Sequence, residues 1–221
     1  MKEGILVVDK PVGMTSHDVV SRIRKRFDMR KVGHAGTLDP LATGVLVLLL
    51  GKATKLSDKF ITFDKAYRST LTLGTKTTTA DTQGDIVEKK PYDRVECWAL
   101  EKVFESLTGE IEQLPPMYSA VKVGGRKLYQ LARKGIEVER KARTVRIDCL
   151  RVEDFKLPEV KFYMECSKGT YVRQLADDVG QALGCGACIS QIQRTKVGPF
   201  LLEDAVHLEN INESHIRNWQ S

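Results

Sequence analysis

The unbroken apolar run from Val45 to Leu50 does most to limit what this chain can fold into. It is far shorter than the roughly 20 residues a membrane-crossing helix needs, and Gly44 and Gly51 bracket it, so it reads as a strand buried on both faces. Just before it stands "GHAGTLDPLATG", Gly33 to Gly44, with a single carboxylate, Asp39, directly ahead of Pro40. Proline confines the preceding residue to extended backbone, and Gly33, Gly36 and Gly44 permit tight turns, so the carboxylate is held with little freedom. A solitary Asp-Pro is commonly no more than a turn former. Here His34 and Thr37 join it where the chain is about to enter the core, which is how polar groups gather at a site.

The whole chain, with 221 residues and 42% hydrophobic content, fits one globular domain. Lys and Arg total 35 against 29 Asp and Glu, a net charge of +6, which suits a polyanionic partner. The N-terminal apolar stretch Ile5 to Val8 is too short for a signal peptide, so a cytoplasmic protein is expected. Five scattered cysteines read as reduced core thiols. "CGAC" at Cys185 to Cys188 has zinc-ligand spacing but lacks a second pair, and no metal site is expected. "GKAT" at Gly51 is not a phosphate-binding loop, because Ala53 stands where a hydroxyl must reach magnesium.

Alternating patterns predict strands over Gly4 to Val8, Val45 to Leu50, Ala66 to Leu73, Asp85 to Glu88, Val145 to Val152, Val160 to Cys166 and Ile189 to Val197. Helical spacing predicts a helix from Ser16 with Val20, Ile23 and Phe27 on one stripe, and a second through Leu100, Phe104 and Leu107 that stops at Gly109. A third runs from about Tyr171 to Leu183, with Arg173 off its apolar stripe. Strands mostly follow one another without intervening helices, so the expected class is α+β with a mixed, mainly antiparallel sheet. The segment Lys122 to Arg146 holds nine Lys or Arg against two Glu. A charge run is often only a solvated face, but the Gly124–Gly125 and Gly135 pauses suit a mobile basic arm over a phosphate backbone.

Five stretches resemble the TruB family of bacterial tRNA pseudouridine synthases: "LVVDKPVGMTSHDVV" at Leu6, "KVGHAGTLDPLATGVLVLLLGKATK" at Lys31, "DKAYRSTLTLGTKTTTADTQGDIV" at Asp64, "PPMYSAVKVGGRKLYQLARKG" at Pro115 and "CSKGTYVRQLADDVGQALGCGACISQIQRT" at Cys166. They span most of the chain in order. The resemblance implies the pseudouridine synthase fold with a central active-site cleft, and isomerisation of a T-loop uridine of tRNA without cofactor or metal. It makes Asp39 the catalytic aspartate, by attack on sugar or base or by proton removal from the ribose. It makes Tyr67 the stacking tyrosine and candidate base for carbon 5, and Arg173 the partner of the aspartate. His34, Tyr171 and Ile192 match positions lining the bound nucleotides; Lys10 and Asp81 match supporting or substrate-contacting positions. The basic segment, about 122–146, matches a thumb-like insertion.

Gln193, Ile192 and Thr78 depart from commoner family residues. Relatives usually continue into a small RNA-binding domain, which is not expected within the residues up to Ser221, so binding is expected to rest on the catalytic domain and thumb. A monomer without an obligate protein partner is expected. The alternative is an RNA-binding or tRNA-folding module without turnover; a guide-dependent assembly fits the Pro115 stretch less well.

Overall fold

A computed structural model describes residues 3–119, 121–132 and 134–219, with the side chain of Lys122 left aside. Its elements in chain order are β1 (Gly4–Lys10), α1 (Ser16–Phe27), β2 (Val32–His34), β3 (Thr43–Leu50), a 3-10 turn (Gly51–Leu56), α2 (Ser57–Ile61), β4 (Lys65–Leu73), β5 (Thr75–Thr77), β6 (Ile86–Lys89), α3 (Cys97–Ser106), β7 (Gly109–Gln113), β8 (Lys122–Val123), β9 (Arg126–Lys127), α4 (Leu128–Ala132), β10 (Arg143–Lys156), β11 (Glu159–Cys166), α5 (Val172–Ala182), β12 (Ala187–Val197), β13 (Phe200–Leu201) and β14 (Val206–His207). The class is α+β and antiparallel pairs prevail, as the sequence predicts. Among the described residues no helix is long and apolar enough to cross a membrane.

The chain divides into two compact units, residues 1–68 with 191–221 and residues 69–190. In the first, β3 lies between β1 and β12, with β2 also paired to it and β14 beyond β1. Its residues from Gly44 to Leu50 are all buried, as a strand covered on both faces requires. Helix α1 starts at a reciprocal cap: the Asp18 amide donates to Thr15 Oγ1, and Thr15 N donates to the Asp18 carboxylate at 2.8 Å. It buries Val19, Val20, Ile23 and Phe27 and ends at Asp28, which takes a left-handed conformation with φ 50°.

In the second unit β11, β10 and β7 are successive antiparallel neighbours. Val160, Phe162, Met164 and Cys166 all face inward, and Phe162 meets Phe104 of α3 edge-on with ring centres 5.8 Å apart. Helix α3 stops at Ser106, earlier than predicted; Gly109, at φ 98°, instead opens β7. Cys185 and Cys188 are buried, and burial together with the nearby Asp81 charge pushes the Cys188 thiol up to about 11. Such a thiol packs as a small apolar group.

The basic segment is less uniform than expected. Its end belongs to the long strand β10, which begins at Arg143 and carries Arg146 outward. Before it, β8 and β9 form a tight hairpin whose turn residues Gly124 and Gly125 both have positive φ, 56° and 81°. Leu128 and Leu131 of α4 are buried, while Arg126, Lys134 and Lys141 are exposed. Arg133 lies outside the described residues.

Candidate functional site

The loop carrying Asp39 is built from the strands of the first unit. Lys10 at the end of β1 stands opposite Gly44 of β3, and Gly44 stands opposite Arg194 of β12. A residue with no side chain thus separates two buried cations in one row across three strands. Gly44 has φ 94°, and a Cβ there would lie 2.2 Å from the Arg194 carbonyl oxygen, so only glycine fits. Gly33, by contrast, lies in β2 and needs no such freedom.

Arg194 is 1% exposed, and its guanidinium is spent on the loop. Its Nε donates to the Val45 carbonyl at 2.8 Å, Nη1 to Thr37 O at 3.3 Å and Nη2 to Gly36 O at 3.2 Å. Ser16, first in α1, accepts from the Leu38 amide at 2.8 Å and donates to the Leu38 carbonyl at 3.2 Å. The Gly13 amide donates to the Pro40 carbonyl at 2.8 Å, and Ala42 N to Asp39 O at 3.1 Å. Asp39, itself half-buried, is therefore held by backbone fixed on both sides. Sequence reasoning missed Arg194; its signal was an arginine inside β12 two residues after Ile192, a pattern indistinguishable from an exposed charge.

Lys10 is fully buried and donates from Nζ to the carbonyls of Pro11 at 2.9 Å and Met14 at 2.6 Å. Burial pushes its amine down to about 8; the Asp39 charge works in the opposite direction and Arg194 adds to the lowering. Replacing Asp39 by Asn removes the raising influence, so Lys10 titrates below its wild-type value, a shift readable by NMR of the lysine Cε and Nζ. Because the folded value lies below the ordinary 10.5, the unfolded chain binds more protons between about pH 8 and 10.5, and Lys10 makes stability rise with pH across that window. Lys10→Met removes that rise from urea titrations.

Ile192 is 6% exposed, and its carbonyl accepts from Thr43 Oγ1 at 3.4 Å, placing it beside the loop's end. His34 is half-buried in β2, its backbone paired with Leu48. Tyr67 is buried in β4, next to the exposed Arg68.

The second unit holds the other candidates as a group of their own. Arg173, in the first turn of α5, is buried rather than displayed on a solvent-facing side. Burial is tolerable because Nη1 donates to Thr79 O at 2.9 Å, Nη2 to Tyr118 O at 2.8 Å, and Asp81 Oδ2 lies 3.6 Å from Nη1. Asp81 in turn accepts from Thr79 Oγ1 at 2.6 Å and from Gln83 N at 3.0 Å. Tyr171 caps α5, and its backbone N–H and C=O are both taken by the Gln113 amide, at 2.7 and 3.1 Å. Among the described residues no cluster of three or more His, Cys, Asp or Glu could hold a metal ion.

The comparisons with known proteins bear on what these groups serve. The family model of the TruB pseudouridylate synthase N-terminal domain matches residues 24–172, and that of the tRNA pseudouridylate synthase B C-terminal domain matches 173–220. The chain is similar to tRNA pseudouridine synthase B of Burkholderia pseudomallei strain 668, with 47% identity over 95% of this chain and 69% of that protein. It is 50% identical to the protein of the same name from Geobacillus kaustophilus strain HTA426, over 95% of this chain and 76% of the relative. Its fold matches a chain in the crystal structure of a Cbf5–Nop10–Gar1 complex with a TM-score of 0.72 and 33% identity, over 95% of this chain; it spans about half, 53%, of that chain's length. With its loop, its buried cations and both domain models in register, the chain belongs to the TruB family of pseudouridylate synthases.

Proposed function

We propose that this chain isomerises a uridine in the T loop of tRNA to pseudouridine. The bond from ribose carbon 1′ to base nitrogen 1 breaks, a bond from carbon 1′ to carbon 5 forms, nitrogen 1 gains a proton and carbon 5 loses one. Atoms balance without an external oxidant or reductant. The carrying observation is the Asp39 loop, locked by Arg194, Ser16 and Gly13 and electrostatically linked to Lys10. Attack on sugar or base and proton removal from the ribose both need an ionised carboxylate held in one place.

In this reading the target base leaves the T-loop stack and Tyr67 stacks on it, its hydroxyl taking the carbon 5 proton. His34, Tyr171 and Ile192 serve the bound nucleotides, and Arg173, held beside Asp81 at 3.6 Å, serves the reaction. The enzyme acts as a monomer in the cytoplasm without a protein partner. The test is incubation with an unmodified tRNA transcript, followed by carbodiimide labelling and primer extension. One new stop in the T loop supports the proposal; no stop, or stops elsewhere only, contradicts it.

The cations of β9 and of the turn after α4 serve as the RNA-closing thumb in the same reading. Replacing Arg126, Lys127 and Lys134 by Ala weakens tRNA binding and lowers the slope of log affinity against log salt by about one for each phosphate left without its cation. An unchanged slope in filter binding removes the thumb from the reading.

A further inference from the structure

A second cationic surface lies in the first unit, apart from the thumb segment in sequence. Between Arg22 and Lys31 the chain carries six Lys or Arg and one acid, Asp28. Two of the six are used internally: Arg24 Nη2 donates to Val32 O at 2.7 Å, and Arg26 Nη1 donates to the carbonyls of Leu208, Glu209 and Ile211 at 2.9 to 3.0 Å. The other four, Arg22, Lys25, Arg30 and Lys31, are exposed, and among the described residues no carboxylate pairs with them. The backbone bond from Gly51 N to Lys31 O, 2.9 Å, brings the 3-10 turn with exposed Lys52 and Lys55 alongside.

A merely solvated helix face intersperses both signs and gains from pairs three or four residues apart. Here the acids at that spacing, Asp18 four residues before Arg22 and Asp28 three after Lys25, form no ion pair with the four cations among the described residues, Asp18 being held by the Thr15 cap, so the like charges repel one another. The negative C-terminal end of the helix dipole accounts for Lys25, in the last turn of α1, but not for Arg22 or for Arg30 and Lys31 beyond the helix. The other end of the same helix is bonded to the Asp39 loop through Ser16 and Leu38. Twelve helical residues at about 1.5 Å each separate the two ends by roughly 18 Å, about five nucleotide steps at 3.4 Å.

We infer that Arg22, Lys25, Arg30 and Lys31 form a second docking surface for the substrate's ribose-phosphate backbone, holding the RNA that flanks the target uridine while the loop addresses the base. The inference rests on the RNA-modifying reading given above. Backbone contacts of this kind fix register and orientation without reading sequence.

The test is filter binding of an unmodified tRNA transcript across about 0.05 to 0.2 M KCl. It compares wild type with the quadruple variant Arg22→Gln, Lys25→Gln, Arg30→Gln and Lys31→Gln, with circular dichroism confirming the fold. The expected result is a Kd raised about tenfold or more and a salt slope lowered by about two to four. A control variant, Lys156→Gln with Lys161→Gln, removes exposed charge from β10 and β11 and leaves both quantities unchanged. A quadruple variant with wild-type Kd and slope overturns the inference. So does a control whose affinity falls as much per charge removed, or polyglutamate competing as well as tRNA. A wild-type chain that binds tRNA without forming pseudouridine removes the enzymatic reading and leaves this surface standing, so the two failures are distinguishable.

Discussion

Asp39→Asn lowers pseudouridine formation by about 10⁴-fold or more while tRNA affinity stays within about threefold. The amide matches the carboxylate in size, and the loop bonds run through the main chain of Gly36, Thr37, Leu38 and Pro40, so the geometry survives. Charge and basicity are lost, and both proposed routes need them. Affinity persists because phosphate and stacking contacts supply it. Single-turnover conversion with enzyme in excess, beside a binding titration of the same RNA, separates the two effects.

Arg194→Met destabilises the fold by about 3 kcal/mol or more and lowers turnover by about 100-fold. Three carbonyls lose a charged donor, that of Val45 in the buried interior and those of Thr37 and Gly36 in part-buried positions, and the Arg194 site itself is 1% exposed. Removing one partner of a buried charged network typically costs a few kcal/mol. The loop that aims Asp39 also loses its support, and a displacement of about 1 Å at a reacting group is enough for a hundredfold loss. Arg194→Lys keeps the charge but not the forked donors, so it recovers part of the stability and little of the rate. Arginine as a positioning residue shows in kcat; urea unfolding of both variants measures the purely structural share.

The long elements were legible because their apolar patterns are strong. The buried face of β11, the stripe of α1 and the buried strand β3 all follow directly from periodicity. The short elements β2, β7, β8 and β9 were not, since two to five residues carry too little pattern to separate a strand from a loop. The parallel pairing of β3 with β12 was also hidden, because it joins residues about 150 positions apart, Gly44 with Arg194. The same distance concealed the role of Arg194, and a comparable one the burial of Arg173. A charge reads as exposed until the carbonyls that satisfy it are known, and those of Val45 and Thr79 come from remote stretches of chain. Asp39 was readable because glycine and proline mark a fixed loop locally; of the two cations at its base, Lys10 came only through the resemblance and Arg194 was missed.

Formation of a carbon–carbon bond at carbon 5 of a tRNA uridine by this chain is tested most directly by tritium release. An unmodified tRNA transcript labelled with tritium at carbon 5 of uridine is incubated with wild type and with Asp39→Asn, and compared with a transcript whose T-loop target uridine is replaced by cytidine. Wild type is expected to release one tritium per tRNA, with none above background from the variant or from the substituted RNA. Release at the wild-type rate by Asp39→Asn, or no release by wild type from a tRNA it binds, would contradict the assignment.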